Sequence, residues 1–150
     1  SAILTANIWF RDPLPLPDVV AFPDGPFQWL FPLPAESRPG SAGYALVMSA
    51  PEKRFLALTP EALQNAVITQ LCEQTGISLW NTPPDAFFVM KERNATLLQT
   101  PEIHALRPST ASGISRLWFA GDWVQTHLPA TLEGAVRSAL QICDDISHQL

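Results

Sequence analysis

Hydrophobic residues recur along this chain with two different periods, and the change between them organises it. Ile3 to Phe10 is rich in β-branched and aromatic residues and stops at Arg11-Asp12-Pro13, which predicts a strand ended by proline. Pro13 to Pro26 contains Pro13, Pro15, Pro17, Pro23 and Pro26, so it reads as an extended, rigid loop. Phe27 to Phe31 places Phe27, Trp29 and Phe31 on one face against Gln28 and Leu30 on the other, predicting a strand with a large aromatic face. A loop from Pro32 to Gly43 then leads into a third strand, Tyr44 to Ala50. The region up to Ala50 is expected to be an antiparallel meander.

A helical period takes over at Thr59. Thr59 suits an N-cap and Pro60 the first helical position, and Leu63, Ala66, Val67, Gln70-Leu71 and Gln74 follow at 3.6-residue spacing until Gly76. The stripe Leu63, Val67 and Leu71, with Ile68 and Cys72 beside it, predicts a helix over 60–75 that covers one face of the sheet. Ala86 to Met90 reads as a further strand running on toward Leu97-Leu98, then a loop holds Pro101 and Pro108. A short strand, Leu117 to Ala120, precedes a last helix from Ala130 to about Gln149, with Leu132, Val136, Ala139-Leu140 and Cys143 on one stripe. The expected class is α+β.

Composition narrows the picture. The chain has 150 residues, enough for one core, and it is 47% hydrophobic but only 15% charged, against about 25% in an ordinary soluble domain. The shortfall implies surface meant to be covered. A net charge of -5 with nine scattered Lys and Arg excludes a nucleic-acid reader. Cys72 and Cys143 both lie on apolar stripes and read as small buried hydrophobes; with His104 and His148 isolated, no metal is expected. The sequence has no run of about twenty apolar residues and no basic leader ahead of the first strand. The start at Ser1 reads as a processed terminus or a fragment boundary.

The densest chemistry lies between Leu117 and Ile146. A strand-like run breaks at Gly121-Asp122, crosses a loop, and meets a helix whose first turns are small: Ala130, Thr131, Gly134 and Ala135. Glycine lets main chain approach a large ligand, and a helix N-terminus offers free N–H donors with about half a positive charge. Asp122 stands where a carboxylate meets ligand at a strand end, or else caps a neighbouring N–H. His127, in the intervening loop, is a general-acid or substrate-contact candidate, or a plain surface histidine.

Phe119, Ala120, Gly121, Asp122, then Pro129, Ala130, Glu133, Gly134, Ala135 and Ser138, form an FAGD box followed by a P-A-x-x-E-G-A-x-x-S helix. This resembles the C-terminal cofactor segment of the flavin-containing amine oxidase and phytoene desaturase superfamily. The Phe27–Phe31 strand after Asp24-Gly25-Pro26, and Lys91 to Thr96 followed by Thr100-Pro101, are similar to the squalene-associated FAD-dependent desaturases, or hydroxysqualene dehydroxylases, within it. The resemblance implies FAD bound through Gly121, Asp122, Trp123, Ala130, Thr131, Leu132 and Gly134. Asp122 would meet the ribityl or pyrophosphate region, Trp123 the flavin edge, and the backbone of Thr131, Leu132 and Glu133 the flavin N1 and O2. Lys91 would be the lysine that some members hold near flavin N5 through a water, or a solvated strand lysine.

The superfamily's opening G-x-G-x-x-G has no counterpart among the seven glycines. The resemblance therefore implies the carboxyl-terminal portion of a longer enzyme: residues 1–116 from the substrate domain, 117–150 a strand, loop and helix of the FAD-binding domain, and the N-terminal flavin half missing. Alone, the portion would be inactive. The implied substrate is a large apolar isoprenoid, which Trp9, Phe27, Trp29, Phe31, Phe87 and Phe88 would line. The implied location is cytoplasmic with peripheral membrane contact, though no amphipathic basic helix is present to carry that contact. Two other readings stay open. One is an amine oxidase, for which Trp118 and Trp123 are the aromatics near the FAGD loop. The other is a non-catalytic module binding an apolar ligand or a protein.

Overall fold

A computed structural model describes residues 1–148, so Gln149, in the last helix expected from sequence, lies outside the described residues. The elements in chain order are β1 (Ile3–Phe10), β2 (Val20–Ala21), β3 (Trp29–Pro32), β4 (Ala42–Ser49), α1 (Lys53–Ala57), α2 (Pro60–Thr75), β5 (Ala86–Glu92), α3 (Pro101–Leu106) and α4 (Leu132–Ser147), with a 3-10 turn at Ala35–Ser37. They fall into two compact units, Ala2–Ala95 and a second formed by Ser1 with the residues from Thr96 onward.

The first unit is built on a five-stranded antiparallel sheet in the order β2-β3-β4-β1-β5. This differs from the expected meander, because β1 pairs with β4 and β5 instead of with β3, so that Ile3 lies opposite both Ser49 and Glu92. Alternation along β1 turns Leu4, Ala6, Ile8 and Phe10 into the core and Ile3, Thr5, Asn7 and Trp9 to the other face.

Helix α2 forms where the sequence predicts it. Thr59 Oγ1 accepts from the Ala62 N–H at 3.2 Å, Pro60 fills the first position, and Gly76 closes the helix at φ 73° with its N–H on the Cys72 carbonyl. Leu63, Val67, Ile68 and Leu71 join Leu4, Ile8, Phe10, Leu30, Leu46 and Met48 in one buried cluster. Each such side chain removed from water contributes about 1.5–3 kcal/mol.

Gln70, on the same helix, is a buried polar residue that acts in place of a strand. Its Oε1 accepts from the Phe27 N–H at 3.0 Å and its Nε2 donates to the Phe27 carbonyl at 2.7 Å. Gly25 makes room for it, since a Cβ there would fall 2.4 Å from Gln70 Cδ.

That contact corrects the expected strand over Phe27–Phe31. Phe27 is bent out of the ladder and fully buried, and β3 begins only at Trp29. Leu30 then points to the core, leaving Trp29 and Phe31 outward with their rings stacked at 6.1 Å. The ladder places them beside Ala45 and Val47, then Thr5 and Asn7, then Phe88 and Met90. The result is an open sheet face that is apolar at Trp29, Phe31, Ala45, Val47, Phe88 and Met90 and polar on β1 at Thr5 and Asn7; Trp29, Phe88 and Met90 on it are exposed.

Other expectations need correcting. The proline-rich loop contains β2, because Val20 and Ala21 lie between the prolines and find β3 as a partner. Strand β5 stops at Glu92, where a turn over Arg93-Asn94 replaces the expected continuation to Leu97-Leu98. Residues 101–106, expected as loop, form α3, with Thr100 Oγ1 capping the Ile103 N–H and Pro101 at the first position. That is the same signal that marks α2. Leu117–Ala120 forms no strand: its one ladder contact among the described residues is the bridge Trp118–Ala111, beside which the Phe119 N–H bonds Thr110. Helix α4 starts at Leu132, not Ala130, since Thr131 is extended and serves as its N-cap.

Candidate functional site

The segment between α3 and α4 has little regular secondary structure, so side chains must hold its shape. Arg107, at the C-terminal end of α3, supplies most of that hold. Its Nε donates to the Trp123 carbonyl at 3.4 Å, Nη1 to Leu128 at 2.6 Å, and Nη2 to Asp122 at 2.7 Å and to Val124. The loop closes on itself through Val124 N–H to the Gly121 carbonyl and Gln125 N–H to Pro108. No peptide bond is cis, so each carbonyl and the following N–H point in opposite directions. With the Asp122 carbonyl on Arg107, the Trp123 N–H faces away from it.

Gly121 requires its glycine. Its φ is 133°, and a Cβ there would sit 2.6 Å from Trp123 Nε1. The Trp123 ring folds back over it, 5.4 Å from the Phe119 ring. The Gly121 N–H donates to Ser138 Oγ at 2.9 Å, and that fully buried hydroxyl donates to the Ala135 carbonyl at 2.7 Å. Ser138 thus fastens the FAGD glycine to α4. Gly134 sits against the Pro129 carbonyl, which a Cβ would approach to 2.9 Å, with Thr126 Oγ1 beyond it. Thr126 is 5% exposed and its hydroxyl has no partner among the described residues.

Helix α4 opens with Thr131 Oγ1 accepting from the Gly134 N–H at 3.3 Å and the Thr131 carbonyl from the Ala135 N–H at 3.0 Å. The N–H groups of Leu132 and Glu133 have no partner among the described residues and lie at the positive end of a sixteen-residue helix. Gly121, Asp122, Trp123, Ala130, Thr131, Leu132 and Gly134 therefore all lie within one bonded segment. Asp122 is half-buried, Ala130 buried, and Trp123 exposed.

His127 is exposed in the same loop at a left-handed φ of 61°, its N–H on Gln125 Oε1. Gln125 Nε2 in turn stands 3.4 Å from His104 Nε2. Lys91 belongs to the sheet unit, where its ammonium donates to the Leu56 and Leu58 carbonyls at 3.0 and 2.6 Å, holding the end of α1. In the first turn of α3, the Glu102 carboxyl is held below its ordinary value of 4.5, first by its own backbone N–H and then by the Thr100 hydroxyl.

The stripe on α4 corrects a further expectation. Gly134 and Ser138 are its buried positions, while Leu132 (88% exposed), Val136, Leu140 and Cys143 face outward. Small residues, not large ones, let this helix sit against the FAGD loop. Arg107 is not among the site residues that the sequence motif indicates. The Thr100-Pro101 cap, matching Thr59-Pro60, would have placed it at the end of a helix, though nothing in the sequence names the carbonyls it meets. Among the described residues no group of His, Cys, Asp and Glu is placed to hold a metal, and no helix is long and apolar enough to cross a membrane.

Comparison with known proteins gives a consistent answer. Hydroxysqualene dehydroxylase from Sinorhizobium fredii is 34% identical over 143 residues, covering 95% of this chain and 32% of that protein. The protein of that name from Rhodopseudomonas palustris is 32% identical over the same share of this chain and 32% of its own, and the one from Zymomonas mobilis is 30% identical over 98% of this chain and 33% of its own. The chain thus spans about a third of the length of these relatives. In fold it is similar to a crystal structure described as a putative protoporphyrinogen oxidase from Exiguobacterium, with a TM-score of 0.62 at 15% identity, over 99% of this chain and 35% of that one. The model of the flavin-containing amine oxidoreductases matches residues 2–147, and the chain belongs to that family.

Proposed function

We propose that this chain is the carboxyl-terminal portion of an FAD-dependent oxidoreductase acting on a large apolar isoprenoid, by dehydroxylation or desaturation of a squalene- or phytoene-type substrate. The observation that carries the reading is the bonded segment from Gly121 to Ser138. Two positions lack room for a Cβ, and two N–H groups without a partner among the described residues stand at the positive end of α4. That donor set fits a flavin: backbone can approach closely, and the donors suit atoms that gain negative charge on reduction.

When bound, the flavin supplies the transfer of two electrons to or from a substrate carbon. Replacing C–OH by C–H consumes a hydride equivalent and a proton and releases water, while desaturation removes two hydrogens. This chain's own part is to bind and orient. The N–H groups of Leu132 and Glu133, in the turn that Thr131 caps, would hold the cofactor, and Asp122 would accept from its hydroxyl-bearing chain. His127 stands as a proton-carrying candidate on the loop, and Lys91 as a second, with two of its three donors already engaged.

The open sheet face bearing Trp29, Phe31, Phe88 and Met90 is mainly apolar, with Glu92 exposed at its end, and that supports an apolar substrate. Residues 1–116 serve as substrate-domain portion and 117–150 as part of the FAD-binding domain. The N-terminal flavin half of the longer protein covers the outward stripe Leu132, Val136 and Leu140. The location is cytoplasmic, with peripheral membrane contact.

The test is to purify the longer protein, identify the cofactor that it releases, and follow conversion of hydroxysqualene to squalene by mass spectrometry under reducing conditions. Bound FAD with squalene formed supports the reading. FAD bound with an amine oxidised instead moves the protein to the amine-oxidase reading, and no flavin at all leaves a binding module. A tight, saturable FAD isotherm on the 150-residue chain alone would contradict its proposed inactivity.

A further inference from the structure

We infer that Arg107 is a positioning residue for the flavin site, setting the direction of the loop peptides that meet the cofactor; this rests on the flavin reading above. The loop 121–128 contains no regular secondary structure, and its internal bonds are few. One guanidinium gathers the carbonyls of Asp122, Trp123, Val124 and Leu128. Hydrogen bonds from a charged donor are about twice as strong as neutral ones, and the planar fork fixes angle as well as distance. The only ion pair among the described residues is Arg54–Glu52, so the charge of Arg107 is met by carbonyl dipoles and by no carboxylate.

The consequence lies on the loop's opposite side. Each carbonyl drawn to Arg107 turns the next N–H outward, and the Trp123 N–H is left facing away from it, with no partner among the described residues. Val124 and Gln125 N–H are tied to Gly121 and Pro108, so the peptide after Asp122 alone keeps such freedom in the run 122–124. Lysine cannot replace the arginine, because one ammonium with three donors does not span four carbonyls.

The experiment uses the longer protein that carries this chain, as wild type, R107K and R107M, with R116M as a control for loss of an exposed arginine in the same unit. Three readouts apply: amide exchange across 122–128, dissociation constants of oxidised and reduced FAD, and the visible spectrum of bound flavin. For R107K and R107M alike, the expected results are faster loop exchange, a shifted flavin spectrum and a reduced form weakened about tenfold more than the oxidised. For a two-electron couple that ratio is about 30 mV toward negative potential. R116M should match wild type.

Full rescue by R107K would overturn the inference, because charge and not the fork would then be acting. Unchanged exchange, spectrum and affinity in both variants would overturn it as well. If the wild type takes up no FAD, the flavin reading falls, and faster exchange in R107K then leaves Arg107 as a clamp on the loop only. Should R107M not accumulate as folded protein by circular dichroism, R107K carries the same comparison.

Discussion

Gln70→Leu keeps the volume of a buried side chain and removes both hydrogen bonds to Phe27. In the native protein Gln70 is 3% exposed, and it satisfies the Phe27 N–H at 3.0 Å and carbonyl at 2.7 Å. Leucine leaves two backbone groups without partners beside a fully buried phenylalanine ring. An unsatisfied buried donor or acceptor costs about 1–3 kcal/mol, so the pair sums to about 2–6 kcal/mol if no water enters. With a urea slope of about 2 kcal/mol per molar for a unit of this size, the midpoint should fall by about 1–3 M. Equilibrium urea unfolding measures it, and a fall under about 0.3 M would refute the view of Gln70 as a substitute strand. Gln70→Glu sharpens the test. The buried carboxylate would face the Phe27 carbonyl, so its pKa in the folded protein is raised by desolvation and by that oxygen. A raised folded value means stability present at low pH and lost as pH climbs through it, so this variant should be more stable in acid than near neutrality. The opposite trend would show that no carboxylate is held there.

Three further outcomes follow from the site and the caps. Ser138→Ala removes the acceptor of the Gly121 N–H, and should cost about 1–3 kcal/mol in thermal unfolding together with a measurable loss of bound FAD in the longer protein. Gly134→Ala places a methyl 2.9 Å from the Pro129 carbonyl, so it should destabilise the protein despite alanine's better helix propensity; a gain in melting temperature would contradict that geometry. Glu61 and Glu102 both have lowered carboxyl pKa values, caused first by backbone N–H groups and then by the Thr59 and Thr100 hydroxyls. Their stabilisation is therefore present above the unfolded value and lost as pH falls through the folded one. The double change to glutamine should flatten the acid limb of the stability profile below about pH 4.5 and leave neutral pH little altered.

Where the chain could be read in advance, a local rule was sufficient. Thr59, Pro60 and Gly76 bound α2 because capping depends on neighbours a few residues away. The β-branched and aromatic residues of Ile3–Phe10, with the proline after them, give β1 because strand propensity and a proline stop are local too. Periodicity misplaces Phe27 because its partner, Gln70, lies on another element, a contact that leaves no trace in the local pattern. The apolar residues of α4 do share one stripe, but its direction depends on Gly134 and Ser138, whose smallness matters only once the Pro129 carbonyl and the Gly121 N–H are in place. The FAGD segment was legible as a motif for the same reason that Arg107 was not: glycine, small residues and a cap have fixed local meanings, whereas an arginine's meaning is set by the carbonyls folded around it.

The position of β1 has a consequence for how the sheet is assembled. The earliest strand in the chain is an interior one, and its two edges are filled by β4 and β5, both far along the sequence. No neighbouring hairpin can nucleate around it, so loop-closure entropy must be overcome twice before β1 is paired on both sides. The sheet unit should therefore fold slowly for its size, and its first strand should be the last to gain protection on both edges. For the same reason a cut anywhere before Phe10 would not trim an edge but remove the strand that β4 and β5 share.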